Sequence, residues 1–312
     1  MRRTTTLTAI GLLLLTAACG QPGQAGSTPN DQHEDAFQQR ADAVAEAWRS
    51  APAREAWHKG FIPLQATTVL PADPGFDDET KQAFLAGWYR TQVSLPAAEP
   101  ADGTVEFPDG TLTVPLISAR EAYQQLDQGD PPPCPRERPA PAPTSGAPDT
   151  PVDSGITGCT VLTVTGATLG TTQVVTSRGM AEVPAWLFTV EELNGPVAQL
   201  AVAASAVTEP PTFTAPDTAV EGVVSAQSLA SVEGNKLTYR LGVGACDTDI
   251  RPLVVEYDDV VVVAGFAKTP DTICTTQLVE APVTVTLEIP LGARPVLDAV
   301  TGQPLRLRTV IG

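Results

Sequence analysis

Three observations predict an α+β protein, with a helical N-terminal region followed by a β-rich C-terminal half of antiparallel sheets. Near the N-terminus apolar residues recur every three or four positions, and Phe37, Ala41, Val44, Ala45 and Trp48 make one helical stripe. Beyond residue 158 short runs rich in Val and Thr alternate with glycine turns, as strands do. Between them, residues 131–153 are too rich in proline for regular structure, because each proline lacks an amide donor and restricts the residue before it.

Taken in chain order, residues 1–18 read as an export signal. Arg2 and Arg3 precede an apolar run over 7–15 that is too short to span a bilayer as a permanent helix. The small pair Ala17-Ala18 and then Cys19 resemble a bacterial lipobox, which implies cleavage before Cys19 and diacylglycerol on its sulfur. An ordinary soluble secreted protein is the alternative. Residues 19–30 read as a flexible tether, and 31–130 as a mainly helical region with a hairpin.

Within that region the striped helix covers 31–50, and Pro52 opens a second helix running through Trp57. A third follows the acids Asp77-Asp78-Glu79 and carries Phe84, Leu85 and Trp88 inward. Trp48, Trp57 and Trp88 therefore read as core. Residues 104–107 and 111–116 flank the turn Pro108-Asp109-Gly110 as a hairpin, and Ser118 with Glu121 makes a capping-box pattern opening a short helix. A proline-rich loop (131–155), an antiparallel β unit (156–208) and a C-terminal β-rich domain (209–312) complete the chain. The nearly unbroken apolar run 260–266, entered through a turn at Asp258-Asp259, reads as a strand buried on both faces.

The formal charge is −17, and losing Arg2 and Arg3 with the signal brings it to −19. Such a surface disfavours nucleic acid and anionic headgroups, so membrane contact is expected to rest on lipid at Cys19 alone. With Cys19 assigned to lipid, four of the five cysteines remain for an oxidising compartment. Three connectivities are open. Cys134 with Cys159 and Cys246 with Cys274 is favoured, since each pair flanks one loop inside one candidate domain. No CxxC occurs, and His33 and His58 are the only imidazoles, so no metal is assigned.

No catalytic residue and no cofactor emerge. The GxSxG elbow, the HExxH pattern, the P-loop and the glycine-rich dinucleotide fingerprint are all absent. A paired-carboxylate glycosidase stays open on sequence alone, although only 5% of residues are aromatic, few for a sugar cleft. Asp247 and Asp249, with Asp258-Asp259 downstream, are the candidate calcium ligands, but without the glycine and distal glutamate of an EF-hand they read better as solvated turn acids. Arg178, at a predicted hairpin tip, has two readings: an anion site or an ordinary tight turn.

Residues 112–204 resemble the PepSY and YycI-type modules of secreted bacterial proteins. Ser118, Glu121 and Ala122 match the helix start of those modules, and Pro184 and Trp186 match their Pro-x-Trp strand. The lipobox, the stretch 176–186 and the stretch 290–298 together resemble uncharacterised secreted lipoproteins of high-GC actinobacteria. The first resemblance implies binding or inhibition of another extracytoplasmic protein. The expected function is thus a non-catalytic interaction or regulatory module anchored to the outer face of the cell membrane. A solute- or cell-wall-glycan-binding lipoprotein is the alternative, which needs a deep aromatic-lined pocket at the junction of the two halves, and a hydrolase comes last.

Overall fold

The computed structural model of the chain describes residues 29–52, 54–131, 160–213, 220–270 and 274–308. The expected signal peptide, almost all of the expected tether, and the proline-rich run with Cys134 and Cys159 lie outside the described residues.

Strand outweighs helix, 42% to 18%, which overturns the α+β expectation of a helical N-terminal region. The described part of 31–130 does hold four α-helices: α1 (Pro29–Ser50), α2 (Arg54–Lys59), α3 (Asp78–Ala86) and α4 (Ala119–Leu126). Interleaved with them are the expected hairpin, as β3 (Gly103–Phe107) and β4 (Gly110–Val114), and two short strands that were not expected, β1 (Thr68–Val69) and β2 (Tyr89–Thr91). Extended pieces of two or three residues have no period to read, and they take their order from partners far along the chain.

Those partners are β5 (Leu162–Thr176), β6 (Gly179–Val190) and β7 (Val197–Leu200). β6 is the spine of this first sheet. β5 pairs along one side of it, from Val164↔Val190 to Thr176↔Gly179, while β7 and the β3–β4 hairpin share the other. β2 then adds in parallel to β5, and β1 antiparallel to β7.

Local chemistry sets the helices over this sheet. Asp77 caps α3 by accepting from the Thr80 amide at 2.7 Å, and Gly87 (φ +67°) ends it, leaving Trp88 beyond the helix that was expected to carry it. Leu85, expected inward, is 64% exposed because the core-facing side of α3 runs through Thr80 and Ala83. Ser118 accepts from the Glu121 amide at 3.2 Å and opens α4. Beside it the Trp186 indole donates to the Ile117 carbonyl at 3.0 Å, so the tryptophan is packed and satisfied.

The C-terminal half is a β-sandwich. One sheet orders β13 (Leu278–Thr286), β10 (Lys236–Gly244) and β9 (Ala226–Glu233). In the other, β11 (Thr248–Glu256) pairs with β12 (Val261–Lys268), whose far side takes β14 (Val296–Asp298) in parallel and β8 (Val223–Val224) antiparallel. β12 is buried on both faces: Val261 and Val263 point into the sandwich, Val262 and Ala264 point away from it. Tyr239 joins the two sheets by donating its hydroxyl to the Ala264 carbonyl at 2.8 Å and the Leu253 carbonyl at 3.1 Å.

α1 covers the outer face of β12. Its stripe of Phe37, Ala41, Val44, Ala45 and Trp48 is buried against Val260, Val262, Ala264 and Leu297, and Trp48 meets Trp57 edge-on at 5.3 Å. Arg40, 9% exposed, fastens the helix by donating to the carbonyls of Ala299 and Val300, both at 2.7 Å. At the other end Arg49 forks onto Asp259 and holds its carboxyl below the usual carboxylate range. The first helix thus belongs to the last third of the chain. Among the described residues no helix is long and apolar enough to cross a membrane.

Candidate functional site

The first sheet and the sandwich meet along the segment that leaves α2, and at this junction lies a cleft of about 1050 Å³. Its N-terminal wall is mostly apolar, with Gln65, Thr68 and Asp73 among its lining. Val69, Leu70, Phe76 and Phe84 line it while packing from behind against the core of the first sheet, and the two phenyl rings lie 5.4 Å apart. Pro71 and Pro74 keep this wall out of helix, and the Asn194 amide, donating to the Pro74 carbonyl at 2.9 Å, pins it to the body.

The opposite wall comes from Gln227 and Ser228 of β9 and from the C-terminal tail. The tail runs parallel to β9: the Leu229 amide donates to the Arg306 carbonyl, and the Arg308 amide to the Leu229 carbonyl, both at 2.9 Å. Side chains alternate along an extended chain, so Leu305 and Leu307 turn into the sandwich and leave Arg306 and Arg308 outside. The Leu307 amide also donates to the Leu64 carbonyl at 2.6 Å, stitching the tail to the N-terminal half.

Charge is unevenly committed here. Arg308 lies 2.6 Å from Glu280, which also has Arg240 at 3.9 Å, and Asp73 accepts the Gly75 amide at 3.1 Å. Arg306 forms no ion pair or side-chain hydrogen bond among the described residues. Ser228 is only 5% exposed, yet its hydroxyl has no partner among the described residues. A buried hydroxyl left unsatisfied costs about 1–3 kcal/mol, so it calls for an explanation.

The residues singled out from sequence lie elsewhere. Cys19, Cys134 and Cys159 fall outside the described residues. Cys246 and Cys274 form a disulfide, with Cα atoms 6.1 Å apart. Asp247 closes the turn beside it, accepting from the Gly244 amide at 2.7 Å and from the Thr269 hydroxyl at 3.0 Å, while Asp249 sits at φ +51°. Neither aspartate has a carboxylate-rich neighbourhood: no cluster of three or more His, Cys, Asp or Glu suited to a metal occurs among the described residues. His33 packs on Phe266, and His58 is exposed at the end of α2. Arg178 is taken up internally, forked onto Asp109 and stacked 3.8 Å over the Phe107 ring.

From sequence, a pocket at this junction was required only under the solute-binding alternative, and no residue was assigned to the cleft. The one available signal was the alternation Leu305-Arg306-Leu307-Arg308, an amphipathic strand pattern at the chain end. Comparison with protein-family models, curated proteins and solved structures found no match to this chain.

Proposed function

We propose that this protein is a non-catalytic binding lipoprotein, held at the outer face of the membrane by lipid on Cys19, whose ligand occupies the cleft between the first sheet and the sandwich. The cleft carries this reading. At about 1050 Å³ it matches the upper end of small-molecule sites, roughly 300–1,000 Å³, and it combines an apolar wall with a few polar groups, as such sites do. It lies at the junction where the solute-binding alternative required a pocket, although among the described residues Phe76 and Phe84 are its only aromatics. That favours an apolar ligand over a glycan, whose rings ask for broader aromatic platforms.

One preparation tests both parts. Protein purified from membranes is compared with Ala66→Trp, which places an indole in the cleft from an exposed position. The wild-type extract is expected to contain a small molecule near one equivalent that the variant lacks, and the mature N-terminal peptide is expected to carry diacylglycerol on Cys19. Equal extracts would remove the ligand reading. An unmodified Cys19 would remove the anchor.

A further inference from the structure

The orphaned hydroxyl and the uncommitted guanidinium stand on the same wall. Leu229 turns inward to the sandwich core, so its neighbour Ser228 takes the outer face of β9, and the parallel tail places Arg306 on that same side. Both line the cleft, opposite the apolar surface made by Val69, Leu70 and Phe84. The charged residues of the lining are Asp73, Arg306 and Arg308, so cations prevail locally in a chain whose overall charge is −17. At physiological ionic strength the wider negative field is screened within about 8 Å, and contact chemistry decides what binds.

We infer that the cleft takes a molecule with an apolar body and an anionic head, the head held by the Arg306 guanidinium and the Ser228 hydroxyl and the body laid along Val69, Leu70 and Phe84. This rests on the proposed ligand-binding role and adds the ligand's class. A carboxylate or phosphate head would accept from Ser228 and satisfy its hydroxyl. It would also fork onto Arg306, a geometry for which guanidinium is suited and ammonium is not. Arg308 is already occupied by Glu280 and serves as a background charge.

Isothermal titration with decanoate, decyl phosphate and 1-decanol tests the inference on the full mature chain. Both anions are expected to bind at least about tenfold more tightly than the alcohol, with an affinity that falls as salt is raised, and the better anion identifies the head group. Arg306→Gln is expected to erase most of that preference, weakening both anions far more than decanol. Ser228→Ala is expected to weaken the anions several-fold without lowering the melting temperature, since its hydroxyl makes no internal bond; a merely structural serine would lower the melting temperature and leave the anion preference intact. Equal binding of all three probes overturns the anionic head and leaves the ligand-binding role standing. Binding of none overturns both, and binding that survives unchanged in Ala66→Trp places the probe outside the cleft and overturns the inference.

Discussion

Asp298 has no exposed surface, and its carboxylate accepts from the Ala226 amide, the Ser225 hydroxyl, and both the amide and the hydroxyl of Thr301, each at 2.8 Å. One side chain therefore ties the end of β14 to the start of β9 and closes the following turn. Asp298→Ala leaves buried donors unpaired and is expected to cost about 3 kcal/mol in urea-induced unfolding, while Asp298→Asn, which keeps an acceptor, loses less. An alanine variant as stable as the parent would refute this role. Residues whose partners lie a few positions away were legible in the sequence: Ser118 with Glu121 was. Ser228 and Arg306 were not, because only the pairing of the tail with β9 brings them together. Arg178 shows the same limit, since its binding to Asp109 and Phe107 closes the choice that its turn position left open.

α1 shows what periodicity conveys and what it omits. The stripe through Phe37 and Trp48 announced the helix, and the apolar run 260–266 announced a strand buried on both sides. That the two cover each other could not be read, because apolar surfaces are not addressed to one partner. Trp48, at the C-terminal end of the stripe, is 1% exposed and meets Trp57, so Trp48→Ala is expected to destabilise by about 3–5 kcal/mol. Chemical denaturation followed by tryptophan fluorescence measures it, and a loss under 1 kcal/mol, about a surface substitution's effect, would show that α1 is an ornament on the sandwich. Of the hairpin β5–β6, the turn before Gly179 and strands at 160–169 and 181–190 were legible through β-branched residues, but its length was not, because Gly166 and Gly170 read as turns and lie inside β5. The pairs β1–β7 and β2–β5 were not.

At the scale of the molecule, all four tyrosines resist ionisation. Burial is the leading cause in each case, reinforced at Tyr257 by its hydrogen bond to Asp42. A phenol whose folded pKa lies above its unfolded value near 10 adds stability that is whole below that pH and is lost as pH rises toward the folded value. Phenolate absorbance is accordingly expected to stay flat through pH 10 and then to rise together with loss of the folded circular-dichroism signal. A graded rise while the fold persists would contradict these burials.

The first described helix and the last tail strand are both parts of the sandwich: Arg40 in α1 bonds to Ala299, and Leu307 lies beside β9. A chain is synthesised N-terminus first, so α1 emerges long before the strands it covers. Its apolar stripe must wait, exposed, until β12 and β14 have been made, and closing so long a loop makes folding slow. The sandwich is thus completed by segments 259 residues apart, so synthesis must pass Ala299 before it can close, and any chaperone guarding the growing chain would have α1 as an early apolar surface to shield.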